Sequence, residues 1–160
     1  MIGVMSDSHD NLTQIRKAVA LFKDAQCELV LHAGDVVAPF AARELAPLGC
    51  PVKAVFGNCD GEKQGLEMAL EKFGNIQDAP LFLSRGSCRI LLVHYHFSVA
   101  TYASSGKYDV IVYGHTHKPD IRREGKTLLL NPGEAGGWLT GKSTVALLNP
   151  EKLEAEIVPL

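Results

Sequence analysis

The 160-residue chain has no CxxC pair among its four cysteines (Cys27, Cys50, Cys59, Cys88) and no apolar run approaching the roughly 18 residues of a membrane span. A domain of this length needs no disulfide staples, so reduced thiols and a cytoplasmic setting are the expectation, with no membrane partner. The N-terminal MIGVMSDSHD lacks a basic leader and meets Asp7 after a short apolar run, which does not read as an export signal. Lys and Arg (16) are scattered and outnumbered by 18 acidic residues, so no electrostatic track for a nucleic acid polymer is marked. Repeats and low-complexity linkers are also missing. What remains is 46% hydrophobic residues, enough to build one core, and a single domain over 1–160 is expected. Self-association as a homo-oligomer is left open.

Apolar runs over 2–5, 28–32 and 52–56 predict strands, each followed by a polar loop and then helical spacing. The first helix carries Leu12, Ile15, Val19 and Phe22 on one face behind Asp10 or Asn11 as cap; the second starts at Pro39. The third carries Leu66, Ala69, Leu70 and Phe73 and is expected to close at Gly74. After Pro80 hairpins take over: 81–84 with 89–93 about Arg85-Gly86-Ser87, a helix over 97–104, a strand over 109–113, a hairpin about Gly125, and strands over 143–148 and 153–158. Strand–helix units followed by hairpins predict an α/β protein, a four-layer α/β/β/α sandwich of two packed mixed sheets flanked by helices.

The loops that follow these strands hold Asp7, Ser8 and His9; Asp35; Asn58; His94; and, in YGHTHKP (113–119), His115 and His117. If the chain stays extended past Gly114, the last two imidazoles point to one side. Ligands of α/β sheets bind beyond the carboxyl ends of strands, so the loops can converge. Two Asp, one Asn and four His exceed what one ion with a retained water takes, and suit two ions. A carboxylate offers two oxygens, and Asp35 is the expected bridge. His32, inside an apolar strand, reads as a core histidine; Asp60 and Glu134 read as loop or supporting residues, and Asn11 as a helix start.

The ordered set Asp7-x-His9, Gly34-Asp35, Gly57-Asn58, His94 and Gly114-His115-x-His117 resembles the calcineurin-type metallophosphoesterase superfamily. With GNCDG, the NPGEAGGWLTGKS stretch (131–143) and the short length, the chain looks most like the small YfcE-like phosphodiesterases, which lack a cap domain. The resemblance implies one ion on Asp7, His9, Asp35 and His117, and a second on Asp35, Asn58, His94 and His115. Mn²⁺ is the first expectation, and Ni²⁺, Co²⁺, Fe or Zn²⁺ also suit such donors. Two ions about 3.5 to 4 Å apart would polarise phosphoryl oxygens and make a bridging hydroxide available for in-line attack on a small phosphodiester. Two departures stand out. Larger members carry His where this chain has Cys59, read here as packed beside the site and not as a nucleophile. The usual His-Gly is His94-Tyr95-His96, which unsettles the backbone at Tyr95 and offers His96 either as a proton donor to the leaving group or as a solvent-facing side chain. The alternative is a protein-interaction scaffold with little or no catalysis, because the same fold resembles a retromer subunit; a complete ligand set favours the enzyme.

Overall fold

In the computed structural model, which describes residues 1–160, strand β1 (Ile2–Met5) is buried at every position and leads into helix α1 (Leu12–Asp24). Asn11 caps that helix, its Oδ1 accepting from the Gln14 N–H, as its helix-start position predicts. The buried face of α1 is Ile15, Ala18, Val19 and Phe22, and the Phe22 ring fills the space above Gly3, where an added Cβ would lie 2.7 Å from it. Strand β2 (Leu29–His32) is followed by the short helix α2 (Pro39–Arg43), with Pro39 in its first turn. Strand β3 (Val52–Val55) precedes helix α3 (Lys63–Leu70).

Here the structure corrects one expectation. Helix α3 ends at Leu70, and Gly74 opens a further strand, β4 (Gly74–Gln77), paired in parallel with β3. Gly74 sits opposite Val52, and a Cβ there would come within 2.2 Å of the Val52 carbonyl oxygen, so glycine serves close strand approach and not a helix end.

Strands β5 (Leu81–Arg85) and β6 (Cys88–Leu92) form the expected hairpin, helix α4 (Val99–Ser104) follows, and β7 (Val110–Val112) lies parallel to β6. Strands β8 (Asp120–Glu124) and β9 (Thr127–Asn131) pair about Gly125, and β10 (Thr144–Asn149) and β11 (Glu154–Pro159) return to the first sheet. One mixed sheet has the order β11-β10-β1-β2-β3-β4; the other is β5-β6-β7-β9-β8. Ile2, Val4, Leu31 and Val55 of the first sheet meet Ile90, Leu92, Val112 and Leu130 of the second in a buried core between them. Helices α1 to α3 cover the outer face of the first sheet, and Val99 and Ala103 of α4 cover Leu91, Ile111 and Leu129 of the second. The layering is α/β/β/α. No helix is long and apolar enough to cross a membrane.

Candidate metal centre

The carboxyl ends of β1, β2, β3, β6 and β7 open on one edge of the sandwich, and their loops are laced together by backbone bonds. Asp7 N–H donates to the Gly34 carbonyl and His9 N–H to the Asp35 carbonyl, while Gly136 N–H, from the β9–β10 loop, donates to the Asp7 carbonyl. Close approach is enforced where bulk would intervene: a Cβ on Gly114 would stand 2.0 Å from Ser6 Oγ, and one on Gly57 would stand 2.1 Å from Asp35 Oδ1.

All seven side chains singled out by the sequence meet here. Asp7 Oδ1 lies 4.0 Å from His9 Nε2 and 3.5 Å from His117 Nε2. Asp35 Oδ2 lies 3.6 Å from His9 Nε2 and also 3.6 Å from His94 Nε2, midway between two groups of imidazoles. Asn58 Oδ1 is 2.9 Å from both His94 Nε2 and His115 Nδ1. The bridge geometry differs in detail from the expectation of one oxygen per ion: Asp35 Oδ1 accepts from the Cys59 N–H at 2.8 Å, and Oδ2 alone faces both groups.

The route by which His115 and His117 reach the centre is also not the expected one. Neither is extended; their φ angles are 68° and 59°, and Asp7, His9 and Asp35 likewise take positive φ of 52°, 41° and 60°. Asp and His tolerate this left-handed region better than most residues, and such strain collects where function fixes a side chain. Tyr95 causes no such difficulty, since it is not among the residues of positive φ. Its ring packs edge-on to His94 and His115, with centroids 5.1 and 4.9 Å away.

The hydrogen bonds of the donor set bear on its fit to cations. His94 Nδ1–H donates to the Ala33 carbonyl at 2.7 Å, which in the neutral ring leaves Nε2 as an acceptor; Asn58 Oδ1 stands 2.9 Å from it and 2.9 Å from His115 Nδ1, which can donate to that oxygen. The amide of Asn58 is oriented by Nδ2 donating to Cys59 Sγ. Asp7 Oδ1 and His9 Nε2 are buried without a hydrogen-bond partner. Donors about 2.1 Å from an octahedral ion stand about 3 Å apart, and the separations above are of that order. Asp7 Oδ1 and His9 Nε2, buried and unsatisfied by the chain at the centre of the donor set, fit divalent cations.

Supporting residues sit behind this layer. Asp60 accepts from the N–H groups of Asp35 (2.9 Å), Gly57 (2.7 Å) and Val37 (2.7 Å). Glu134, fully buried, accepts from the N–H groups of Leu139 and Thr140, and its Oε1 stands 3.2 Å from His117 Nδ1, though off the line of a hydrogen bond. His32 is the core histidine expected: Nδ1 accepts from Gly34 N–H, and Nε2 bonds Ser8 Oγ at 3.0 Å. Burial pushes His32 down to about 4. Burial also raises Asp7 above the usual carboxylate range and lowers His115. For Glu134 burial acts upward, but the Leu139 and Thr140 donors prevail and hold it below its usual range.

Cys59 is exposed on the pocket wall, and burial together with the Asp35 charge pushes its thiol up to about 11. His96 is exposed beside the centre, its ring stacked on His115 with centroids 5.7 Å apart. Over the cluster lies a pocket of about 370 Å³ whose lip includes Trp138 and Leu139. Neither was among the site residues expected from the sequence, although both lie in the NPGEAGGWLTGKS stretch, where a lone tryptophan among glycines was the available signal.

A sequence model described as the calcineurin-like phosphoesterase superfamily domain matches residues 1–153. Phosphodiesterase MJ0936 of Methanocaldococcus jannaschii is 40% identical over 157 residues, covering 96% of this chain and 95% of that protein. Phosphodiesterase YfcE of Escherichia coli is 29% identical over 142 residues, 80% of this chain and 75% of its own length. A solved structure described as a novel archaeal phosphodiesterase superposes with a TM-score of 0.94 at 36% identity, over 99% of both chains.

Proposed function

This chain belongs to the calcineurin-like phosphoesterase superfamily, and from that premise we propose that it is a dinuclear metal-dependent phosphodiesterase acting on small phosphodiesters. Asp7, His9, Asp35 and His117 would hold one divalent ion, and Asp35, Asn58, His94 and His115 the other, with Asp35 common to both. The observation that carries this reading is the convergence of seven ligand-type side chains around Asp7 Oδ1 and His9 Nε2, both buried without a hydrogen-bond partner. Bound in this way, two ions would polarise the phosphoryl oxygens and bring the pKa of a coordinated water toward neutrality.

The chain's own residues supply the rest. The Ala33 carbonyl fixes the tautomer of His94, Glu134 faces Nδ1 of His117, and Asp60 fixes the turn that presents Asp35. His96, exposed and stacked on His115, is the candidate proton donor to the leaving group. Mn²⁺ heads the list of metals because the donors mix oxygen and nitrogen, with Ni²⁺, Co²⁺, Fe and Zn²⁺ behind it. Relatives named as phosphodiesterases support the substrate class. The full set of seven ligand-type side chains, with Asp7 Oδ1 and His9 Nε2 buried and unpartnered among them, favours the enzyme over the scaffold alternative.

The test is metal removal. Chelated protein should lose turnover of bis(p-nitrophenyl) phosphate, regain it with Mn²⁺, and bind two ions per chain by elemental analysis. Asp35→Asn should reduce kcat by about 100-fold or more, since a neutral amide holds two cations less well. Undiminished turnover in metal-free protein would overturn the proposal.

A further inference from the structure

The lip of the pocket is unlike its floor. Trp138, 64% exposed, and Leu139, 79% exposed, stand over the polar cluster on the loop between β9 and β10. Trp138 is the only tryptophan in the chain. Its exposure is not slack: the indole N–H donates to the His9 carbonyl at 3.0 Å, next to the candidate ligand itself. Leu139 and Thr140 N–H groups are held by buried Glu134, and Asn11 Nδ2 donates to the Gly136 carbonyl at 2.7 Å. A large aromatic surface held rigidly in water at the mouth of a site is arranged for a ligand, because its entropy of ordering has been spent before the ligand arrives.

We propose that Trp138 is a stacking platform for a planar aromatic arm of the phosphodiester, a nucleoside being the biological form; this rests on the phosphodiesterase reading of the same centre. With its single N–H engaged, the indole has only its faces to offer. No Lys or Arg lines the pocket, and its apolar lip has no donor–acceptor pair to read a base edge. Stacking is tolerant of base identity, so thymidine and adenosine arms are accepted alike. His96, the candidate acid, lies at the His115 end, whereas Trp138 lies at the His9 end. The arm on Trp138 is therefore the one retained on phosphorus after the leaving group departs. The reaction then releases a nucleoside monophosphate from a diester, water supplying the new oxygen on phosphorus and a proton going to the leaving alcohol.

Two measurements decide it. Thymidine 5′-monophosphate added to Mn²⁺-loaded protein should saturably quench the fluorescence of the single indole, while methyl phosphate and inorganic phosphate leave it unchanged; phenyl phosphate in the same titration separates a generic aryl group from a nucleoside. In turnover, thymidine 5′-(p-nitrophenyl) phosphate and methyl p-nitrophenyl phosphate share a leaving group and differ in the retained arm. The ratio of their kcat/KM should favour the nucleoside by roughly tenfold to a hundredfold. Trp138→Ala should erase that ratio mainly through KM, and Trp138→Phe, which keeps a ring but loses the N–H, should retain most of it. A ratio unchanged in Trp138→Ala, or equal quenching by methyl phosphate, overturns the platform. If the wild type cleaves neither diester, the phosphodiesterase reading fails, and the quenching titration still decides the platform.

Discussion

Asp60 accepts from three backbone N–H groups, those of Asp35, Val37 and Gly57, so one carboxylate sets the turn bearing the candidate bridge and the turn bearing Asn58. The seven convergent side chains were legible in the sequence because each is a ligand type placed just after an apolar strand. Asp60 and Glu134 also read from the sequence as loop or supporting residues, but the particular backbone N–H groups they hold are set by tertiary contacts. Cys59 acts chiefly through its backbone: its N–H holds Asp35 Oδ1, a task alanine performs equally, while its Sγ only accepts from Asn58 Nδ2. Cys59→Ala should retain activity within about tenfold, short of the roughly 10² to 10⁴ that a general acid contributes. Complete loss of turnover in folded, metal-loaded Cys59→Ala would give the thiol a chemical role. His32 makes a prediction of stability. Burial lowers it from 6.5 to about 4, with the Asp60 and Asp35 charges opposing, so the fold favours the neutral ring. The associated stability is intact above 6.5 and is lost as pH falls toward 4, by about 3 kcal/mol at full extent. Urea unfolding of metal-stripped protein at pH 7 and pH 4.5 should show that loss in the wild type and a smaller one in His32→Gln.

At the scale of elements, the periodic strands and helices appear within one or two residues of their expected ends except α3, which stops at Leu70 and not at Gly74, and the failures have physical causes. β4 was hidden because its sequence, GNIQ, has a single buried apolar position and begins at a glycine that also suits a helix end. The alternation argument for His115 and His117 gave the right convergence by the wrong geometry, since β7 ends at Val112 and the loop beyond it turns left-handed. Backbone conformation of this kind is set by tertiary bonds, such as His115 N–H donating to Asp7 Oδ2 at 3.1 Å across 108 residues, and short-range pattern cannot carry it. The glycine of β4 is testable. Gly74→Ala would press a methyl group to 2.2 Å from the backbone oxygen of Val52, which no side-chain rotation relieves, whereas Gly61 has nothing within 4 Å. Gly74→Ala should cost about 2 to 3 kcal/mol in urea unfolding, and Gly61→Ala should stay within about 0.5 kcal/mol of wild type. Equal effects of the two would remove the close-approach account of β4.

For the molecule as a whole, charge decides what kind of phosphate ester suits the centre. Arg16 pairs with Glu44, Lys63 with Asp78, Arg85 with Glu28, Arg89 with Asp109, and Arg122 with Asp120, all at the surface. None of these cations lines the pocket, and the net charge is −2. A phosphomonoester brings a second negative charge that has no Arg or Lys to meet it, while a diester brings one. Under identical Mn²⁺ conditions, kcat/KM for bis(p-nitrophenyl) phosphate should therefore exceed that for p-nitrophenyl phosphate, and equal or better turnover of the monoester would sink the argument. The same charge map predicts the salt response. With no cationic track beyond the ions, long-range steering is weak, so diester kcat/KM should change by less than about threefold as ionic strength rises through the range where the Debye length shrinks from about 10 Å to a few ångströms. A steep decline would reveal an attractive field that the distribution of Lys and Arg does not supply.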